Sequence, residues 1–334
     1  MQCIDFSGCK VNNAVNYGGS DRKIGIFYQG GPYMIKFAEK TEKQHEMGTS
    51  SINNCISEYI GSHIAESMGI PVHDTLLGTY NGEIVVACKD FCKPNQVTQE
   101  FAHYMRMKYD SSDIGKLPKL EQIYDIINAI PALLSIREQA IERYWDTFIA
   151  DALTANFDRH KGNWGYLADR NTGEVTLAPT YDYGSTLYPA LSEAGMEEIM
   201  KSPKEICERI YVFPTAALLV NNQKVRYYDM LFSGYDKNCT KAIEKMVPKI
   251  DMPDIYRIIE ETPIISDSQK GFYKTMLRFR KQFLLDPAYK QAATGKYDGE
   301  AKRRIQNQMP YDKRAFELDW QNGRYREQLG QMWN

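Results

Sequence analysis

Asp158 and Asn163 flank the turn of the segment NFDRHKGNWGY, residues 156–166, and Asp182 opens an Asp182-Tyr183-Gly184 turn inside PTYDYGSTL, residues 179–187. Carboxylate and amide oxygens are hard donors. They suit magnesium, which is commonly held by one or two carboxylates together with the phosphates of its substrate. A further carboxylate beside such a metal can orient a hydroxyl nucleophile, and phosphoryl transfer asks a protein for little beyond positioning and charge stabilisation. In that chemistry Asp158 orients the nucleophile, while Asn163 and Asp182 hold the metal.

The spacing supports this assignment. Asp158 and Asn163 stand as far apart as the Asp and Asn of the loop H-R-D-x-x-x-x-N, and Asp182-Tyr183-Gly184 has the form of a D-F-G turn. A lone D-x-G is common in turns, but here it follows the Asp–Asn pair by one hairpin. Upstream, Lys36 lies in an alternating apolar strand and Glu58 on the next helix, the arrangement of a lysine and glutamate that clasp ATP phosphates. A strand lysine is ordinarily a solvated side chain, so Lys36 gains meaning only from the later motifs. The turn NYGGSDRKIGI, residues 16–26, brings Gly18, Gly19, Ser20 and Lys23 into a candidate phosphate cradle, although the full G-x-G-x-x-G spacing is missing. His160 belongs beside the nucleotide as a support of its loop rather than as a base. His45, His63, His73 and His103 show no metal-ligand spacing.

Positioning these groups requires two kinds of scaffold. The first ninety residues read as strands at 24–28, 33–37, 75–80 and 83–91, with Asn81-Gly82 marking a tight hairpin. One helix interrupts them: Ile56, Ile60, Ile64 and Met68 recur every four positions before Gly69-Ile70-Pro71 stops the pattern. After Lys93-Pro94 helical periodicity dominates, near 119–129, 138–155, 203–212, 224–232, 236–247, 251–260 and 268–285. Short strands at 164–167 and 174–177, joined by Asn171-Thr172-Gly173, break the series. From Pro287 the chain is rich in Lys, Arg, Gln and Tyr and poor in aliphatics, which predicts a loosely packed extension whose aromatic residues Phe316, Trp320 and Trp333 dock locally. The expected fold is α+β and two-lobed: a small antiparallel β lobe with one helix at 1–93, a larger, mainly helical lobe at 94–286, and an extension at 287–334.

Composition excludes several classes. Lys+Arg number 41 against 43 Asp+Glu, so no global basic field favours nucleic acid. Polar residues interrupt every apolar run before the roughly 18–20 residues of a membrane span, and the N-terminus has no secretory pattern. Seven scattered cysteines point to a reducing compartment, and Cys88 and Cys92 lack the second ligand pair of a zinc finger.

These residues resemble the HipA-like serine/threonine kinases, whose loop reads Asp-Arg-His-x-x-Asn. The likeness extends over roughly residues 1–285, through YMIKF, SEYIGSHIAESMGI, TLLGTY, NFDRHKGNWG, ERIYVFP and IDMPDIYRIIEETP. The resemblance implies a two-lobed protein-kinase-like fold and ATP- and Mg2+-dependent phosphorylation of protein Ser/Thr hydroxyls, with autophosphorylation. In that family's terms Asp158 is the base, Asn163 and Asp182 are metal ligands, Lys36 meets the phosphates with Glu58 beside it, and adenine lies against the Lys89–Phe91 backbone. The resemblance also implies a bacterial cytoplasmic protein, with signal-less export or translocation into a host as a further implication. HipA's extra N-terminal subdomain has no counterpart before Lys36, so an antitoxin partner is not carried over. HipA's regulated loop serine aligns with Asn16, which leaves Ser20 as the hydroxyl of the turn. A lipid or small-molecule kinase shares the same loop pattern, and a nucleotide-binding module without catalysis is the alternative of another class.

Overall fold

The computed structural model describes residues 3–13, 22–38, 53–309 and 311–332. Gly18, Gly19, Ser20 and Asn16 lie outside the described residues, as does Trp333.

The small lobe is a six-stranded sheet of β1 (Ile4–Asp5), β2 (Lys10–Val11), β3 (Lys23–Tyr28), β4 (Gly31–Phe37), β5 (Thr75–Tyr80) and β6 (Glu83–Lys89), with helix α1 (Asn54–Ser67) inserted between β4 and β5. Its order is β1-β5-β6-β4-β3-β2. Asn81 and Gly82 both take positive φ, 50° and 81°, as a two-residue hairpin between twisted strands requires. Strand periodicity then sorts the side chains. Ile35, Phe37, Val85 and Ala87 build one small core with Phe6 and Ile26. Lys36, Val86 and Cys88 therefore take the opposite face, on which Ile56, Tyr59, Ile60 and Ile64 of α1 pack.

The large lobe begins with strand β7 (Gln96–Glu100) and α2 (Phe101–Lys108), followed by α3 (Leu120–Ala129) and α4 (Arg137–Thr154). Strands β8 (Gly165–Asp169) and β9 (Val175–Leu177) join β7 in a second sheet of order β7-β8-β9. Next come α5 (Glu193–Met200), α6 (Pro203–Tyr211), a hairpin of β10 (Thr215–Val220) and β11 (Gln223–Arg226), α7 (Tyr227–Phe232), α8 (Lys237–Met246), α9 (Met252–Glu261) and α10 (Asp267–Arg280), which runs on through a π-turn at Lys281–Leu285. The helix expected over 224–232 begins as strand, over 224–226. Asn221 and Asn222 sit at φ 51° and 63°, a left-handed pair that turns the chain back and commits Val225 to β11, so the helix starts only at Tyr227. No helix among the described residues is long and apolar enough to cross a membrane. The seven cysteines are free thiols.

The C-terminal stretch is packed rather than loose. Helices α11 (Asp286–Thr294), α12 (Gly299–Gln306), α13 (Lys313–Gln321) and α14 (Arg326–Met332) follow one another, and the Asp298 and Asp312 carboxylates accept backbone N–H groups at the starts of α12 and α13. Aromatic residues replace the missing aliphatics: Phe316 is fully buried, and Tyr325 stacks on Tyr211 of α6 at 5.1 Å between ring centroids. Phe316→Ala is expected to cost about 3–5 kcal/mol of local stability. Limited proteolysis should then cut within 313–332, and resistance equal to wild type would show that this segment does not depend on its aromatic core.

Candidate active site

Helix α4 ends at Ala155, which takes the left-handed φ of 59° and turns the chain into the Asp158 loop. Asp151, buried in the last turn of the helix, organises that loop. Its Oδ1 accepts from Asn156 Nδ2 at 2.8 Å and from Arg159 Nη2 at 3.1 Å, and its Oδ2 accepts from Arg159 Nε at 3.0 Å. Arg159 Nη1 then donates to the Asn163 carbonyl at 2.9 Å and to the Tyr181 carbonyl, while the guanidinium lies 4.5 Å from the Tyr183 ring centroid. Burial works against the Arg159 charge, but Asp151 beside it outweighs that and raises its pKa. One buried guanidinium thus joins the Asp–Asn loop to the Asp-Tyr-Gly turn.

The loop is closed by its own polar groups. Asn163 Nδ2 donates to the Asp158 carbonyl at 2.7 Å, which leaves the Asn163 amide oxygen as the group available to a cation. The Gly162 N–H donates to His160 Nδ1 at 3.0 Å. Asp182 takes φ 62°, a strained left-handed conformation for a non-glycine residue of the kind that collects at functional sites.

From the small lobe, Lys36 Nζ donates to Glu58 Oε2 at 3.1 Å and to Asp182 Oδ1 at 3.2 Å. The buried His73 places Nε2 3.0 Å from Glu58 Oε1, at ion-pair distance but poorly aligned for a hydrogen bond. Burial pushes the Glu58 carboxyl up, yet Lys36 and His73 hold it well below the usual carboxylate range. Burial likewise opposes the Lys36 charge, and Asp182 and Glu58 raise its pKa in spite of it. Asp158 is shifted up by burial, with Asp182 adding to the effect and His160 countering it. Glu58, His73 and Cys88 bring donor atoms within 4.8 Å of one another. The Lys36 ammonium already occupies Glu58, and burial pushes the Cys88 thiol up, so this cluster anchors Glu58 rather than inviting a second metal.

These groups surround one cleft of about 570 Å³ between the lobes. Lys23, Lys36, Glu58, Lys89 and Phe91 line its small-lobe and hinge side, and Asp158, His160, Asn163 and Asp182 line the other. Lys89 takes part through its backbone, because its ammonium points out to Asp74 at 3.0 Å. Met34, Val86 and Cys88 add an apolar wall. The donor set fits a nucleotide with a hard divalent cation: a carboxylate and an amide oxygen meet beside an ammonium, next to an apolar slot. Asp151, Arg159 and His73 escaped the sequence reading. A signal for the first two was present, since a carboxylate on an apolar helix needs a cation within reach and Arg159 follows it closely.

Comparison with known proteins agrees with this geometry. The model of the HipA-like C-terminal domain matches residues 15–252. The serine/threonine-protein kinase CtkA of Helicobacter pylori is 39% identical over 295 residues, covering 87% of this chain and 89% of the relative. The crystal structure of a Helicobacter pylori proinflammatory kinase CtkA superposes with a TM-score of 0.83 at 36% identity, over 89% of this chain and 100% of that one. HipA of Shewanella oneidensis, solved with HipB and operator DNA, shares the fold at a TM-score of 0.54 and 14% identity, over 83% of this chain and 67% of that one. The two-lobed α+β architecture, the family model across most of the chain and the 39% identical relative place this chain in the HipA-like C-terminal domain family.

Proposed function

We propose that the chain is an ATP- and Mg2+-dependent serine/threonine protein kinase that also phosphorylates itself. The observation that carries this reading is the convergence of Lys36, Glu58, Asp158, Asn163 and Asp182 on one cleft, from segments far apart in sequence. The name of the curated relative supports the same activity.

Asp158 accepts the proton of the Ser or Thr hydroxyl as its oxygen bonds to the γ-phosphorus and the bond to the β-phosphate oxygen breaks. Magnesium, when bound, neutralises charge on the transferring phosphoryl group. Asn163 and Asp182 offer the oxygens that hold it, and Asn163 is oriented by its bond to the Asp158 carbonyl. Lys36 moves from Asp182 toward the phosphates, with Glu58 keeping it aimed. The Phe91 N–H makes no hydrogen bond among the described residues, which leaves it as a hinge donor for adenine.

Asp158→Ala and Asp182→Ala should each lower phosphoryl transfer from labelled ATP at least about 10²-fold. Full activity in either variant overturns the assignment. ATP with Mg2+ should raise the melting temperature of the wild type, because a ligand bound only by the native state stabilises it by about 2.7 kcal/mol at a hundred times its Kd. Asp182→Asn should blunt that shift.

Helix α1 touches the Asp-Tyr-Gly turn without a spacer: a Cβ on Gly61 would meet Thr186 Oγ1 at 2.8 Å and Tyr183 Cβ at 2.9 Å. Thr186 Oγ1 also donates to the Ser57 carbonyl at 3.0 Å. Gly61→Ala should push the helix from the turn, misplace Glu58 against Lys36 and reduce kcat/KM by about 10- to 100-fold, although residue 61 carries no reacting group. Unchanged kinetics would show that the helix and turn are not coupled.

A further inference from the structure

Outside the cleft, beyond Asp158, three segments meet that no step above uses. Lys161, at the end of the Asp158 loop, donates from Nζ to the carbonyl of Lys116 at 3.1 Å and to that of Gly115. The same 115–119 segment is tied to the β10–β11 hairpin: the Leu219 N–H donates to the Pro118 carbonyl at 3.0 Å, and Lys119 forms a bridge with Leu219. Leu219 stands opposite Lys224 in the hairpin. Lys116 and Lys224 are therefore carried to one rim by backbone and side-chain bonds, and both are exposed. Neither has a salt-bridge partner among the described residues, and neither lines the nucleotide cleft.

We infer that Lys116 and Lys224, held in place by Lys161, form an acceptor-side subsite for a carboxylate that flanks the phosphorylated Ser or Thr of an acidic peptide substrate. The inference deepens the protein-kinase reading and rests on it. The Lys161 bonds tie the 115–119 segment to the Asp158 loop, so this rim lies beside the carboxylate that a hydroxyl must reach. Although the Lys224 side chain is exposed, the protein around its ammonium disfavours the charge, Asp158 favours it and the like charge of Lys116 disfavours it. Two cations brought to one rim, with no salt-bridge partner among the described residues, gain from an anion that arrives with the substrate. Lys161 is spent on carbonyls and serves as the stitch, so the two free ammonium groups do the recognising. A carboxylate is the anion that a peptide acceptor, under the protein-kinase reading, brings to this rim.

The test uses the full chain with Mg2+ and ATP, and peptides that differ only in having Glu, Ala or Lys around a single Ser acceptor. The wild type should prefer the Glu peptide over the Ala peptide by about tenfold in kcat/KM, chiefly through KM, and the preference should shrink with added salt. Lys116→Glu/Lys224→Glu should reverse the ratio of Glu to Lys peptides. Because that ratio is taken within one protein, any general effect on chemistry cancels, and the ATP-induced melting shift checks that the variant is folded. Lys224→Gln alone should give an intermediate ratio. Equal use of the peptides by the wild type, or an unchanged ratio in the double variant, overturns the subsite while autophosphorylation still upholds the kinase. Transfer to phosphatidylinositol vesicles and to none of the peptides overturns it in favour of a lipid acceptor. No transfer to any acceptor, including the chain itself, overturns both readings.

Discussion

A guanidinium cannot stand alone in a protein interior, and the placement of Arg159 obeys that constraint. Asp151 supplies the opposite charge from the end of α4, and Arg159 Nη1 donates to the Asn163 and Tyr181 carbonyls. Breaking a buried pair of this kind by removing one partner costs about 3–5 kcal/mol, largely because the survivor is left charged and dry. The cost keeps the pair intact. Because its bonds reach both the Asp158 loop and the Asp182 turn, the distance between base and metal ligand is set by a group that touches neither reactant.

Across the cleft the charges are arranged differently. Lys36 is shared between a buried carboxylate, Glu58, and a partly exposed one, Asp182. Glu58 is secured from behind by His73, whereas Asp182 keeps access to the cleft. The asymmetry separates a permanent partner from a temporary one. Lys36 can leave Asp182 for phosphate oxygens while Glu58 still neutralises it in a poorly hydrated site, which limits the desolvation cost of the exchange.

The parts of the fold that were legible are those written in short windows. The four small-lobe strands, the Asn81-Gly82 hairpin and the stop after Met68 each need only local periodicity or one turn signal. The Asp158–Asn163 spacing was readable for the same reason: one turn holds both ends. Asn221-Asn222 misled because Asn prefers left-handed φ less strongly than Gly, so Val225 and its neighbours looked helical. The C-terminal helices were obscured by a core built from Tyr and Phe, whose periodicity is hidden among Lys, Arg and Gln. The Lys116–Lys224 rim was out of reach, since it exists only once separate loops are bonded together.

The lobes are connected at more than the hinge. Beyond residues 90–95 the chain enters β7, which is paired with β8, and the Phe101 N–H donates to the Trp164 carbonyl at 2.9 Å. On the other side of the cleft, the His73 N–H donates to the Thr180 carbonyl at 3.0 Å and the Thr180 N–H to the Pro71 carbonyl at 2.8 Å. The strand that leads to Asp182 is thus grafted onto the segment that leaves α1. As a mechanism this gives the cleft a jaw with two attachment points, and the second lies close to the chemistry. Opening by rotation about the hinge alone would tear the Pro71–Thr180 seam, so the least costly motion is a twist about the line joining the two attachments.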